Sequence, residues 1–298
     1  MVRQEYSKRI SRRNFIGKVM LSTAAGAILT SCKKDDYQIA CYTRPWFNHD
    51  YRVALDGIAE AGYKYAGIMT DKGGRIITLE TTVEQAVAVG NEVTGRGMKV
   101  ASLSAGSFNV SNSVNEGIEE LKRWIDNTAG LGAPVVHLGG VTDAELADRY
   151  FEAIAECCDY AADKGVRLSL KTHGGLNSTG AGCRKFIEKV NHKNFGLWYD
   201  PGNVLYYSDG LTDPVDDAEY IDNIVFGMSV KDFKMPKDVS VTPGTGMVDF
   251  PKLLKRLNRG GFRRGPLVVE GLYQGDLAFI NAEAKKTREY LEKLISEL

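Results

Sequence analysis

The sequence has no excess of either charge, since 38 Lys and Arg face 38 Asp and Glu. Such a chain has no net field with which to gather nucleic acid or an acidic membrane surface, so a nucleic-acid partner is not expected. A long hydrophobic run is also missing. The uncharged N-terminal stretch from Val19 to Ser31 holds 13 residues, whereas a bilayer-spanning helix needs roughly 20. Cysteine is scarce, and Cys32, Cys41, Cys157, Cys158 and Cys183 show no metal-binding spacing. Cys157 and Cys158 are neighbours in an expected helix, where adjacent side chains diverge, so buried free thiols are expected in place of a mutual disulfide. No interdomain linker or low-complexity segment interrupts the chain. The Gly-x-Gly-x-x-Gly turn of a dinucleotide fold is absent, because Thr43-Arg44-Pro45-Trp46-Phe47-Asn48 follows the first expected strand.

What is present begins with an unusual N-terminus. Arg3, Lys8, Arg9, Arg12 and Arg13 precede the uncharged run, which is rich in Ala, Gly, Ser and Thr and ends at Cys32. A basic region, a short apolar region and small residues make a signal peptide over 1–31, in preference to an ordinary buried helix. Ser11-Arg12-Arg13-Asn14-Phe15-Ile16 resembles a twin-arginine export signal, and Leu29-Thr30-Ser31-Cys32 resembles the lipobox cut before a lipidated cysteine. These resemblances imply export to the periplasmic side or outer membrane, with a lipid on Cys32 as the sole membrane contact. Lys33-Lys34-Asp35-Asp36 then reads as part of a charged tether over 32–36, leaving 37–298 as the folded part.

From Tyr37 onward, short apolar runs alternate with longer amphipathic ones. Strands are expected at 38–43, 65–70, 99–104, 134–139, 167–172, 195–200, 224–230 and 266–270. Most are the apolar runs that a sheet buried on both faces requires. Helices fit between them at 51–61, 82–95, 115–130, 144–164, 182–190, 251–258 and 278–297, and Tyr206-Tyr207-Ser208-Asp209-Gly210 reads as loop. Strand-then-helix alternation gives a parallel sheet. The length from Tyr37 is close to the roughly 250 residues of an eightfold barrel, so the expected fold is an α/β (β/α)8 TIM barrel.

In such a barrel the carboxyl ends of the strands form the rim where small molecules bind. The polar residues expected there are Arg44 after strand one, His137 in strand four, Lys171 and His173 at strand five, and Asp200 and Asn203 at strand six. Ser229, Lys231 and Asp232 follow at strand seven, and Glu270 closes strand eight. Each has a plainer reading alone: Asp200 before Pro201-Gly202 can start a turn, Lys231-Asp232 can be a solvated pair, and His137 can be a hydrogen-bonded barrel filler. Their placement on consecutive strand ends favours a site. Trp46, Phe47, Trp198, Tyr206 and Tyr207 are expected near the rim, where aromatic faces can stack on a sugar, although core packing accounts equally for Trp198.

Ala61-Gly62-Tyr63, Leu170-Lys171-Thr172-His173-Gly174-Gly175, Tyr199-Asp200-Pro201-Gly202-Asn203, Val230-Lys231-Asp232 and Val268-Val269-Glu270-Gly271 resemble segments of the xylose isomerase-like sugar phosphate isomerases and epimerases. The resemblance implies a divalent ion held by Glu, Asp, His and Glu on strands five to eight, which polarises a sugar carbonyl while carboxylates move the adjacent proton. Asp200 and Glu270 match two of those ligands. Lys171 and Ser229 replace the other Glu and His. An ammonium has three donors and no lone pair, so it cannot coordinate a metal, but it can stand between two carboxylates in the cation's place. A metal, if bound, is left with a set such as His173, Asp200 and Glu270. The segment 241–250 resembles the family's Gly-x-Gly stretch, which can face a phosphate. Its plainer reading is a loop with Asp249 as helix N-cap, favoured because phosphorylated sugars are scarce outside the cytoplasm.

The expected function is therefore that of an exported carbohydrate-active enzyme of the sugar isomerase or epimerase type. It would transfer a proton next to the carbonyl of a small sugar or keto-sugar, by isomerisation, epimerisation or elimination. Lys171, His173, Asp200 and Glu270 are the catalytic candidates, and Asn203, Lys231, Asp232, His137 and Arg44 the substrate-binding ones. The alternative is a non-catalytic barrel lipoprotein that binds a sugar or partner through a degenerate metal site.

Overall fold

The computed structural model of the protein describes residues 36–298. The expected leader, the expected lipidation site Cys32 and the expected tether up to Asp35 lie outside the described residues. Eight strands close a parallel barrel: β1 (Asp36–Tyr42), β2 (Tyr65–Ile68), β3 (Lys99–Ser104), β4 (Val135–Leu138), β5 (Arg167–Lys171), β6 (Phe195–Tyr199), β7 (Val225–Val230) and β8 (Arg264–Val269). Each pairs with the next, and β8 pairs with β1, where Ile39 stands opposite Leu267 and Cys41 opposite Val269.

Helices follow the strands in turn: α1 (Tyr51–Glu60), α2 (Val83–Gly95), α3 (Val114–Leu131), α4 (Ala147–Asp163), α5 (Gly180–Val190), α6 (Pro201–Tyr207), α7 (Pro214–Asp217), α8 (Phe250–Arg259) and α9 (Leu277–Ser296). Their starts are written in the sequence. Thr82 and Gln85 form a reciprocal capping box for α2, Ser113 caps α3, and Asp249 caps α8 as expected. Gly132 ends α3 in the left-handed conformation at φ 76°. Among the described residues no helix is long and apolar enough to cross a membrane.

The segment expected as loop at 206–210 is corrected in part, since Tyr206 and Tyr207 are the last residues of α6. The reason lies at its start. The Asp200 carboxylate accepts the Asn203 N–H and Pro201 occupies the first helical position, so the motif that also reads as a turn nucleates a helix. A small antiparallel hairpin after β2, Thr70–Asp71 with Gly74–Arg75, was not expected either.

Strand alternation divides the side chains into two sets. Leu168, Leu170, Leu197, Met228, Val230, Leu267 and Val269 belong to the large apolar core that includes the helices. Ala40, Tyr42, Ala101, Val135, Trp198 and Val268 form a separate cluster inside the barrel. Trp198 stacks on His137 at 4.9 Å, and Tyr42 closes over both with its hydroxyl 2.9 Å from His137 Nε2 and 2.8 Å from Ser102 Oγ. This aromatic floor fills the barrel, and the polar rim stands above it. Cys41, Cys157, Cys158 and Cys183 are buried free thiols, as expected.

Candidate active site at the barrel mouth

The same alternation carries Lys171, Asp200, Lys231 and Glu270 to one place at the carboxyl ends of β5 to β8. All four are buried. Lys171 Nζ lies 2.6 Å from Glu270 Oε2 and 3.0 Å from Asp200 Oδ2. Lys231 Nζ lies 2.8 Å from Glu270 Oε1, 3.1 Å from Asp200 Oδ2 and 2.8 Å from Asn203 Oδ1. Two ammonium groups and two carboxylates thus alternate in a closed square, in which each charge has opposite charges as neighbours.

The two lysines differ in what they have left to give. An ammonium carries three N–H donors. Lys231 places all of them on protein acceptors, whereas Lys171 makes one hydrogen bond, to Glu270, beside its ion pair with Asp200, and lines the cavity. Lys171 is the lysine with hydrogen-bonding capacity for a ligand.

Burial alone would raise the Glu270 pKa, but Lys171, Lys231 and Arg44 outweigh it and hold the carboxyl well below its usual range. For Lys231, burial opposes the charged form, and the carboxylates of Asp200 and Glu270 overcome it and raise the pKa. Ser229 extends the square downward: its hydroxyl donates to Glu270 Oε2 at 2.6 Å and accepts the Trp198 indole N–H at 2.9 Å. Asn203 donates to the Thr172 carbonyl at 2.8 Å while receiving Lys231, and Asn177 donates to the Lys171 carbonyl at 2.7 Å. Both amides fix the end of β5, the strand that carries Lys171.

Above the square is a cavity of about 350 Å³ whose lining includes Arg44, Arg75, Lys171, His173, Tyr207 and Glu270. Arg44 donates from Nη1 to the Glu270 carbonyl at 3.0 Å. His137 meets the cavity from below, and burial pushes its pKa well under the ordinary value, leaving it neutral. His173 is more exposed and lies against Tyr207, whose hydroxyl is 3.2 Å from Nε2. Its pKa is also lowered, first by partial burial and then by Lys171, so it too is neutral near pH 7.

The structure brings together Lys171, Asp200, Asn203, Lys231 and Glu270, with Arg44, His137 and His173 around them. It does not bring Asp232 to the cavity. The Asp232 carboxylate is buried and accepts the backbone N–H groups of Phe233, Gly244, Gly246 and Val248. It therefore organises the loop between β7 and α8, a role set by that loop's curvature and invisible in the Lys231-Asp232 dipeptide. Trp46 and Trp198 are fully buried in the interior, and Phe47 is exposed away from the cavity. Of the expected aromatics, Tyr206 and Tyr207 reach the cavity. Sequence reasoning missed Arg75 and Lys237; the available signal for Arg75 was its place in the loop after strand two.

A divalent ion of the kind the resemblance implies does not fit these residues. The position between Asp200 and Glu270 is taken by the Lys171 ammonium, and a serine hydroxyl stands where an imidazole ligand would be. The alternative set of His173, Asp200 and Glu270 is not assembled, because His173 turns to Tyr207 while both carboxylates close on lysines. Among the described residues no three His, Cys, Asp or Glu side chains are grouped to hold a metal.

A closed eight-stranded barrel with its polar centre at the carboxyl ends defines the class: an α/β barrel whose candidate site lies at its mouth. Residues 55–294 match the xylose isomerase-like TIM barrel family, and the chain belongs to that family. No curated protein matches the sequence. Among solved structures, a xylose isomerase-like TIM barrel protein from Mycobacterium smegmatis in complex with magnesium superposes with a TM-score of 0.72. Its sequence identity is 17%, and the match covers 88% of this chain and 97% of that one. A D-psicose 3-epimerase in the presence of D-fructose superposes with a TM-score of 0.69 at 12% identity, over 87% of this chain and 99% of that one. D-allulose 3-epimerase from Methylomonas sp. in complex with D-allulose gives 0.67 at 18% identity, over 87% and 97%.

Proposed function

We propose that the protein is a carbohydrate-active enzyme that moves a proton next to the carbonyl of a sugar or keto-sugar. The observation that carries this reading is the Lys171 ammonium, anchored by Glu270 and Asp200 and turned toward a cavity that also holds a neutral His173. The sugar complexes of the structural relatives support the ligand class. In the proposed reaction the substrate carbonyl oxygen accepts the free Lys171 N–H. His173 removes a proton from the adjacent carbon, and the C–H electron pair moves into the carbonyl to give an enolate whose oxygen Lys171 stabilises. Delivery of a water proton to the opposite face of the same carbon, while the imidazolium loses its own to water, gives an epimer. Transfer of the imidazolium proton to the former carbonyl carbon, as the hydroxyl proton of the first carbon passes to the former carbonyl oxygen, gives an isomer. Expulsion of a hydroxyl or alkoxyl from the next carbon, with the imidazolium proton, gives elimination. Glu270, held ionised by its lysines, anchors Lys171 throughout.

A sugar-binding barrel without catalysis is the second reading. In its favour, both carboxylates already hold ammonium groups, leaving neither free as a base. Incubation with D-fructose, D-allulose and D-fructuronate in D2O, followed by NMR, separates the two. Enzyme-dependent deuterium at the carbon beside a carbonyl, lost in Lys171→Met and His173→Asn, is the expected result. Binding of the same sugars with no exchange supports the second reading and overturns the first.

We further propose that residues 1–31 direct export and that Cys32 is lipidated, on the strength of the Arg12-Arg13 and Leu29-Thr30-Ser31-Cys32 motifs. Full-length protein expressed in a bacterium should take up an alkyne-tagged fatty acid, and Cys32→Ala should not. An untagged wild-type protein would refute the anchor.

A further inference from the structure

We propose that the sugar bound at this mouth carries an anionic group, a carboxylate or a phosphate, which Arg44 and Arg75 bind. The inference rests on the sugar reading above and adds the substrate's charge.

The charges around the cavity are unevenly paired. Lys171 and Lys231 are balanced by Asp200 and Glu270, and Lys237 at the outer edge by Asp209 at 2.6 Å. Arg44 and Arg75 remain. Both line the cavity, and among the described residues neither has a carboxylate within ion-pair distance. Each gives Nη1 to a backbone carbonyl, Arg44 to Glu270 at 3.0 Å and Arg75 to Ser104 at 2.8 Å. These bonds fix the guanidinium groups and leave most of each donor fork open, which is the geometry that receives an oxyanion in parallel N–H bonds.

A second observation removes the competing cradle. The backbone amides of Gly244 and Gly246, which in a loop of this shape can hold a phosphate, both donate to Asp232 Oδ2 at 2.9 and 2.8 Å. With those amides occupied, recognition of an anion at this mouth falls to the two arginines.

Calorimetric titration of the purified protein at low ionic strength with D-glucose, D-glucuronate and D-glucose 6-phosphate tests the proposal. At least one anion should bind about tenfold or more tightly than glucose, and which of them does so separates carboxylate from phosphate. The preference should collapse to within about threefold of unity in Arg44→Gln/Arg75→Gln and be partly kept in Arg44→Lys/Arg75→Lys, with circular dichroism checking that both variants fold. Glucose bound as tightly as both anions, or a preference that survives neutralisation, overturns it. If no sugar binds, inorganic phosphate decides. Binding weakened about tenfold by Arg44→Gln/Arg75→Gln upholds the anion site while refuting the sugar reading, and phosphate binding that is absent or unaffected by the substitution overturns the proposal itself.

Discussion

Lys171 sits where two buried carboxylates would otherwise face each other, 2.6 Å from one and 3.0 Å from the other. Lys171→Met should therefore destabilise the protein by about 3–5 kcal/mol in urea denaturation, because it leaves Asp200 and Glu270 with a single counter-ion. The pH dependence follows from the shifts. Glu270, depressed in the fold, contributes stability that is full above its unfolded pKa of about 4.3 and is lost as pH falls through the lower folded value. Lys231, raised in the fold, contributes stability that is full below its unfolded pKa of about 10.4 and is lost as pH rises through the folded value. Between these limits neither the Glu270 nor the Lys231 contribution changes with pH. His137 is the earlier acid liability: its folded pKa is lowered, so below about 6.5 the unfolded chain binds a proton that the fold does not. Stability should fall by about 1.4 kcal/mol per pH unit on that account as pH drops from about 6.5, and His137→Gln should flatten that slope. An unchanged slope in the variant would assign the acid sensitivity to other groups.

At the scale of elements, the loop between β7 and α8 is held by one side chain. Asp232 accepts four backbone N–H groups from that loop and its own neighbour. Asp232→Asn presents an amide to donors that need an acceptor, so hydrogen exchange at Gly244, Gly246 and Val248 should accelerate about tenfold or more. Protection equal to wild type would show that the loop is fixed by other contacts. The barrel interior depends on two residues without side chains: a Cβ on Gly227 would lie 2.3 Å from the Trp198 ring, and one on Gly67 2.4 Å from Tyr42. Gly227→Ala should cost about 1–3 kcal/mol of stability by thermal or urea unfolding. The eight strands were legible in the sequence because strands buried on both faces leave uninterrupted apolar runs, and the start of α8 because Asp249 caps it. The hairpin at 70–75 was not, since strands of two residues carry no period. Nor was α6, whose start at Asp200 and Pro201 reads as a turn.

Across the whole molecule the charges balance, yet at the mouth two arginines stay without carboxylate partners while two lysines close on two acids. Composition could not reveal that unevenness, because it arises from how eight strand ends converge. Position within the strands did reveal Lys171, Asp200, Lys231 and Glu270, whose alternation turns them inward together. What the sequence concealed were roles set by loop geometry: Asp232 turned to backbone amides, and His173 turned to Tyr207 instead of to the carboxylates. The central claim is that an ammonium organises this site where the family resemblance implies a divalent ion. Mn2+ titrated into the purified protein, with free metal followed by electron paramagnetic resonance, tests it most directly. The account predicts no stoichiometric site in the wild type and one in Lys171→Glu/Ser229→His, which supplies the carboxylate and imidazole that are replaced here. One equivalent of Mn2+ bound by the wild type and released by Glu270→Gln would contradict it.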